Sequence, residues 1–101
     1  MKLKEGVTIE GTKKAILAAA INIEHLFQKR GVDMVITSGF AKAMGHSRGD
    51  AIDLRSNTVN DPAVLRDEIA EYLGPKYKIV LESGDPHFHL ERLIEDNGNK
   101  Y

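Results

Sequence analysis

At 101 residues the chain has room for one domain with one modest core, burying somewhat under ~70% of the surface it exposes when unfolded. Charged residues make up 29% and the net charge is −1 with the basic residues scattered, which excludes the electrostatic footprint of a nucleic-acid binder. Cysteine is absent, excluding disulfides and thiolate metal sites, and the longest apolar stretch, 15–23, is far below the ~20 residues of a membrane span.

The N-terminal MKLKEGVTIEG has no apolar h-region, so no secretory signal is expected and the chain is expected to be cytoplasmic as synthesised. Residues 12–30 read as a helix: Thr12 is a candidate N-cap, Ile16, Ala20, Ile23 and Phe27 recur at helical spacing, and Gly31 supplies the stop. Residues 32–38 (VDMVITS) read as a strand closed by Gly39, and 39–49, with three glycines and no period, as a loop. Residues 51–55 form a short strand in which Ile52 and Leu54 alternate with Ala51, Asp53 and Arg55. A second helix starts at Asp61 as N-cap with Pro62 in its first turn, carries Leu65, Ile69 and Leu73 toward a core, and ends at Gly74-Pro75. Residues 77–81 and 87–93 read as two strands joined by a turn at 83–86, and the polar tail IEDNGNKY is expected to fray. This order predicts an α+β domain, a small antiparallel sheet with two main helices packed on it, and a single unit over 1–101.

Two segments carry chemistry. The first is His46-Ser-Arg-Gly-Asp-Ala-Ile-Asp53 and the second is His87-Phe-His89. Side chains alternate across a strand, so His87 and His89 share one face while Phe88 and Leu90 share the other, and Asp53 lies opposite Ile52 and Leu54. If the polar sides of the two strands meet, His46, Asp53 and one histidine of the pair converge. Two imidazoles and a carboxylate with a position left for water is the donor set of a catalytic zinc site. The plain alternative is an Asp that ends a Gly-rich loop and an HxH string that simply faces solvent. His25, on the first helix and far from both segments, reads as a partly exposed structural residue.

The pattern His46-x-x-Gly49-x-Ala51-x-Asp53, followed by His87-x-His89, resembles the zinc D-Ala-D-Ala carboxypeptidase and dipeptidase family. That family includes VanX- and VanY-type enzymes and phage L-alanyl-D-glutamate endolysins, and the Hedgehog signalling domain is similar in fold. Four of the five fixed positions of its S-x-H-x-x-G-x-A-x-D signature are present, and the resemblance spans roughly residues 35–92. It implies a Hedgehog/DD-peptidase-like fold, with His46, Asp53 and His89 as ligands of one Zn2+ and His87 beside the metal's water. It implies an acidic general base a few residues before the last ligand, for which Glu82 is preferred and Asp85 competes. Gly49 and Ala51 would be small for close packing around the ligands, and Glu91 is placed to accept a hydrogen bond from a ligand imidazole or to face solvent.

Two departures stand out. Met44 replaces the signature serine, and the arginine that usually follows the Ser-Gly pair is missing from Ser38-Gly39-Phe40-Ala41-Lys42. Lys42 or Arg48 would have to bind substrate in its place, and a lysine cannot reproduce a bidentate fork. The function so implied is a zinc metallopeptidase cutting a D-amino-acid-containing bond of peptidoglycan stem peptides, without nucleic-acid or membrane partners. With no wall-binding module in the sequence, a minimal phage or bacterial lysin or a part of a virion assembly is expected. The alternative is a zinc-holding module without catalysis, as Hedgehog domains are, and the missing arginine is its best support.

Overall fold

The computed structural model describes residues 1–39, 51–84 and 86–93. In chain order these form β1 (Lys2–Leu3), α1 (Lys14–Gln28), β2 (Val35–Ser38), β3 (Ala51–Arg55), α2 (Pro62–Leu73), β4 (Tyr77–Glu82) and β5 (His87–Arg92). The sheet runs β1-β2-β3-β5-β4 and is antiparallel at every pairing except β1 with β2. The expected α+β domain with two helices on a mostly antiparallel sheet is therefore present. The parallel edge strand β1 is an addition: it rests on Lys2 N–H donating to Met34 O and Lys4 N–H to Ile36 O, both at 2.9 Å.

Both helices cover one face of the sheet. Ile16, Ala20, Ile23 and Phe27 of α1 and Leu65 and Ile69 of α2 are fully buried against Ile36, Ile52, Leu54, Phe88 and Leu90. Phe27 meets Phe88 edge to face, with ring centroids 6.0 Å apart, an arrangement aromatic pairs favour. Such a core residue costs about 3–5 kcal/mol when cut to alanine, so Phe88 fixes which way β5 faces. Glu68 of α2 takes Lys29 Nζ at 2.7 Å and Arg30 Nη1 at 2.5 Å, tying the second helix to the end of the first.

The helix ends follow the expected glycines. At Gly31 (φ 74°) its N–H donates to Gln28 O and that of Val32 to Phe27 O, the paired bonds of a Schellman ending. Gly74 (φ 84°) ends α2 with its N–H on Ala70 O. The starts differ from expectation. Neither Thr12 nor Asp61 caps through its side chain: α1 begins after Lys13, and Asp61 makes no side-chain cap bond although Pro62 opens α2. Thr12 Oγ1 lies buried under Gly39 instead, and a Cβ at Gly39 would meet Thr8 O at 2.4 Å, so only glycine allows the end of β2 to approach the segment before α1. No helix among the described residues is long and apolar enough to cross a membrane.

Candidate metal centre

Because Ile52 and Leu54 of β3 and Phe88 and Leu90 of β5 are fully buried on the helix side, the intervening residues must point to the open face. Strand register then decides who meets whom. Asp53 stands directly opposite His89, Arg55 opposite His87, and Ala51 opposite Glu91. On the other side of β5, Val80 faces His89, Glu82 faces His87 and Lys78 faces Glu91. A one-residue slip of either pairing would carry all of these to the core, so the apolar alternation of β3 and β5 also builds the site.

The carboxylate of Asp53 is nearly buried, with the residue 7% exposed. Its Oδ1 lies 2.9 Å from His89 Nδ1 and 3.7 Å from His87 Nε2, the latter too long for a direct hydrogen bond. His89 Nε2 in turn lies 3.2 Å from Glu91 Oε1. The ring is thus held between two carboxylates, one on each nitrogen. Chiefly through the Asp53 hydrogen bond, and secondarily through Glu91, the His89 pKa is raised above its ordinary value against the opposing effect of burial.

This arrangement fits a metal ligand. Two donors of a tetrahedral zinc, each at ~2.0–2.1 Å, are separated by ~3.3–3.4 Å, so the 2.9 Å between Asp53 Oδ1 and His89 Nδ1 would need little opening for both to hold one ion. Nε2–H pointing at Glu91 is the partner arrangement that fixes a ligating imidazole's tautomer and orientation. Among the described residues no three such side chains are gathered to hold a metal by themselves. The third expected ligand, His46, lies outside the described residues, as do Lys42, Arg48 and Asp85. Of the expected site residues, the fold therefore brings together Asp53, His87, His89 and Glu82.

These side chains line an open groove of about 440 Å³ on the face of the sheet opposite the two helices, with Lys78, Val80 and Glu91 completing its walls. Glu82 is exposed at the end of β4 across from His87, where a directly opposed pair has Cβ atoms ~4.5–5.5 Å apart. His25 lies elsewhere, on the outer side of α1, donating through Nδ1–H to Asn22 O (2.9 Å) with its ring edge to face against Tyr72. Lys78, Val80 and Arg55 were not singled out from sequence. The signal that finds them is the period-2 alternation of β3 and β4, which sets them in phase with Asp53 and Glu82.

No protein-family profile, curated protein or solved structure matches this chain.

Proposed function

We propose that the protein is a metal-dependent peptidase of the Hedgehog/DD-peptidase type, acting on peptide bonds of peptidoglycan stem peptides. The observation that carries this reading is the in-register pair Asp53–His89, with Glu91 behind the imidazole, on the floor of an open groove whose rim holds Glu82 and His87. Asp53 and His89, with His46 as third ligand, would hold one divalent ion, and imidazole with carboxylate suits zinc. A zinc ion bound there supplies Lewis acidity, polarising a scissile carbonyl and acidifying a water.

The chain's own groups do the rest. Glu82, exposed at the end of β4, takes a proton from the attacking water and passes it to the leaving amine. His87, across from it on the same face, donates a hydrogen bond to the oxygen on which negative charge develops, a contact that strengthens as that charge grows. Val80 forms an apolar wall beside His89. Among the described residues no helix lies over the open face, so an extended peptide of a cross-linked polymer can lie across β3, β5 and β4.

The test is release of new amino termini from purified peptidoglycan by the full chain, with and without chelator and after zinc is restored. Glu82→Gln is nearly isosteric but cannot take the proton, so it should keep metal and lose turnover by roughly 100-fold or more. Protein carrying full metal that releases nothing from several wall types would overturn the peptidase reading and favour a zinc-holding module that binds a partner.

A further inference from the structure

Beside the groove lies a second, smaller pocket of about 150 Å³, lined by Lys4, Thr37, Arg55, Asn57, Pro86 and His87. His87 is common to both, so the two are neighbouring compartments of one surface. Each strand between edge and centre contributes. Lys4 follows β1 and is pinned by its N–H on Ile36 O, Thr37 comes from β2 with Ile36 beside it turned into the core, and Arg55 ends β3.

The chemistry of this pocket is that of an oxyanion receptor. Arg55 is half-buried, and among the described residues neither its guanidinium nor the Lys4 ammonium has a carboxylate within ion-pair distance, although acidic residues outnumber basic ones in the chain. A partly desolvated guanidinium left without an anion is unfavourable, and its planar fork of donors matches a carboxylate in two parallel hydrogen bonds. Thr37 adds a hydroxyl and Asn57 an amide to the same space.

Position gives the pocket its meaning. Arg55 lies two residues beyond Asp53 on the same face, ~7 Å along the strand, and directly opposite His87. An extended peptide advances ~3.3–3.6 Å per residue. A carbonyl placed at Asp53, His89 and His87 therefore puts Arg55 within reach of a carboxylate one or two residues away. We propose that Arg55, with Lys4 and Thr37, forms a subsite for a free carboxylate of the substrate close to the scissile bond, so that the enzyme selects acid-bearing peptide ends or acidic residues over neutral backbone. This rests on the peptidase reading for its purpose, but not for its test.

The test is binding without turnover. In the Glu82→Gln chain, N-acetyl-D-alanyl-D-alanine and its C-terminal carboxamide are titrated while the amide resonances of Thr37, Arg55 and Asn57 and the Arg55 Nε–H resonance are followed by NMR. The acid should shift these signals saturably and the carboxamide should bind about tenfold more weakly or worse, as expected for loss of charged hydrogen bonds. Arg55→Gln should abolish the preference, Arg55→Lys should restore it only in part, and retained spectral dispersion in each variant certifies the fold. Equal binding of acid and carboxamide, or an unchanged preference in Arg55→Gln, overturns the subsite. Equal displacement of the same signals by inorganic phosphate would mark an adventitious ion only and overturns it too. Acid-selective binding in a protein whose wild-type form hydrolyses nothing would uphold the subsite while the peptidase reading falls.

Discussion

Glu91 makes the sharpest distinction between a metal centre and two strands that happen to carry polar groups. Its Oε1 stands 3.2 Å from His89 Nε2, while Asp53 occupies the other nitrogen at 2.9 Å. If Nδ1 is the metal-facing nitrogen, Glu91 orients the ring and makes it a better donor, and groups in that role typically contribute 10–100-fold in metal affinity. The 3.2 Å separation is longer than the ~2.7–2.9 Å of a strong charge-assisted bond, and the Glu91 side chain is 37% exposed. Both place the effect at the low end. Glu91→Gln should thus weaken zinc about tenfold, worth ~1.4 kcal/mol, with little change in fold because the amide keeps the volume of the acid. Competition with a chromophoric chelator at pH 8 measures this, and Lys78→Gln, which removes the opposite charge facing Glu91, serves as control. Unchanged affinity in Glu91→Gln would show that Glu91 merely faces solvent. Complete loss of binding would make Glu91 a ligand and overturn the assignment of the two ring nitrogens.

His89→Ala should lose the metal, whereas His87→Ala should keep it and lose turnover; elemental analysis beside the peptidoglycan assay separates them, and the reverse pattern would exchange their roles. Asp53→Ala should lose most of the metal while remaining folded, read by elemental analysis and circular dichroism. In metal-free protein the raised His89 pKa gives a pH signature: its contribution to stability is fully present below the unfolded value of roughly 6.5 and is lost as pH rises through the higher folded value. The melting temperature of Asp53→Asn should therefore fall further below that of the wild type at pH 5.5 than at pH 8.5, and an equal deficit at both would deny the Asp53–His89 bond.

Strong alternation and strong punctuation made most of the fold legible. Residues 51–55 and 62–73 have in the structure the bounds that their patterns gave, since Ile52 and Leu54 fix one and Pro62 and Gly74 the other. Strand β2 begins at Val35 rather than at residue 32, because Val32 belongs to the Schellman ending of α1. Strand β1 was invisible: two exposed residues in a KLK string have no pattern of their own and become a strand only by pairing with β2. The Thr12 cap failed for a related reason, as Thr12 is drawn under Gly39 by packing that no local rule anticipates, whereas Asp61 holds the N-cap position of α2 without a side-chain bond. At the candidate site, alternation alone was enough to put His87 and His89 on one face and Asp53 away from Ile52. What sequence could not provide was the register that sets Asp53 opposite His89, and with it Glu91 and Val80 in the same groove and Arg55 in the pocket beside it.

The most direct test of the metal centre is an anomalous-difference map at the zinc edge from crystals of the full chain grown with stoichiometric zinc. The expected result is one peak between Asp53 Oδ1 and His89 Nδ1, ~2.0–2.2 Å from each, with His46 as a further ligand and Glu91 retained on Nε2. A map with zinc only at other surface sites, or with Asp53 and His89 still joined to each other and no ion between them, would contradict it.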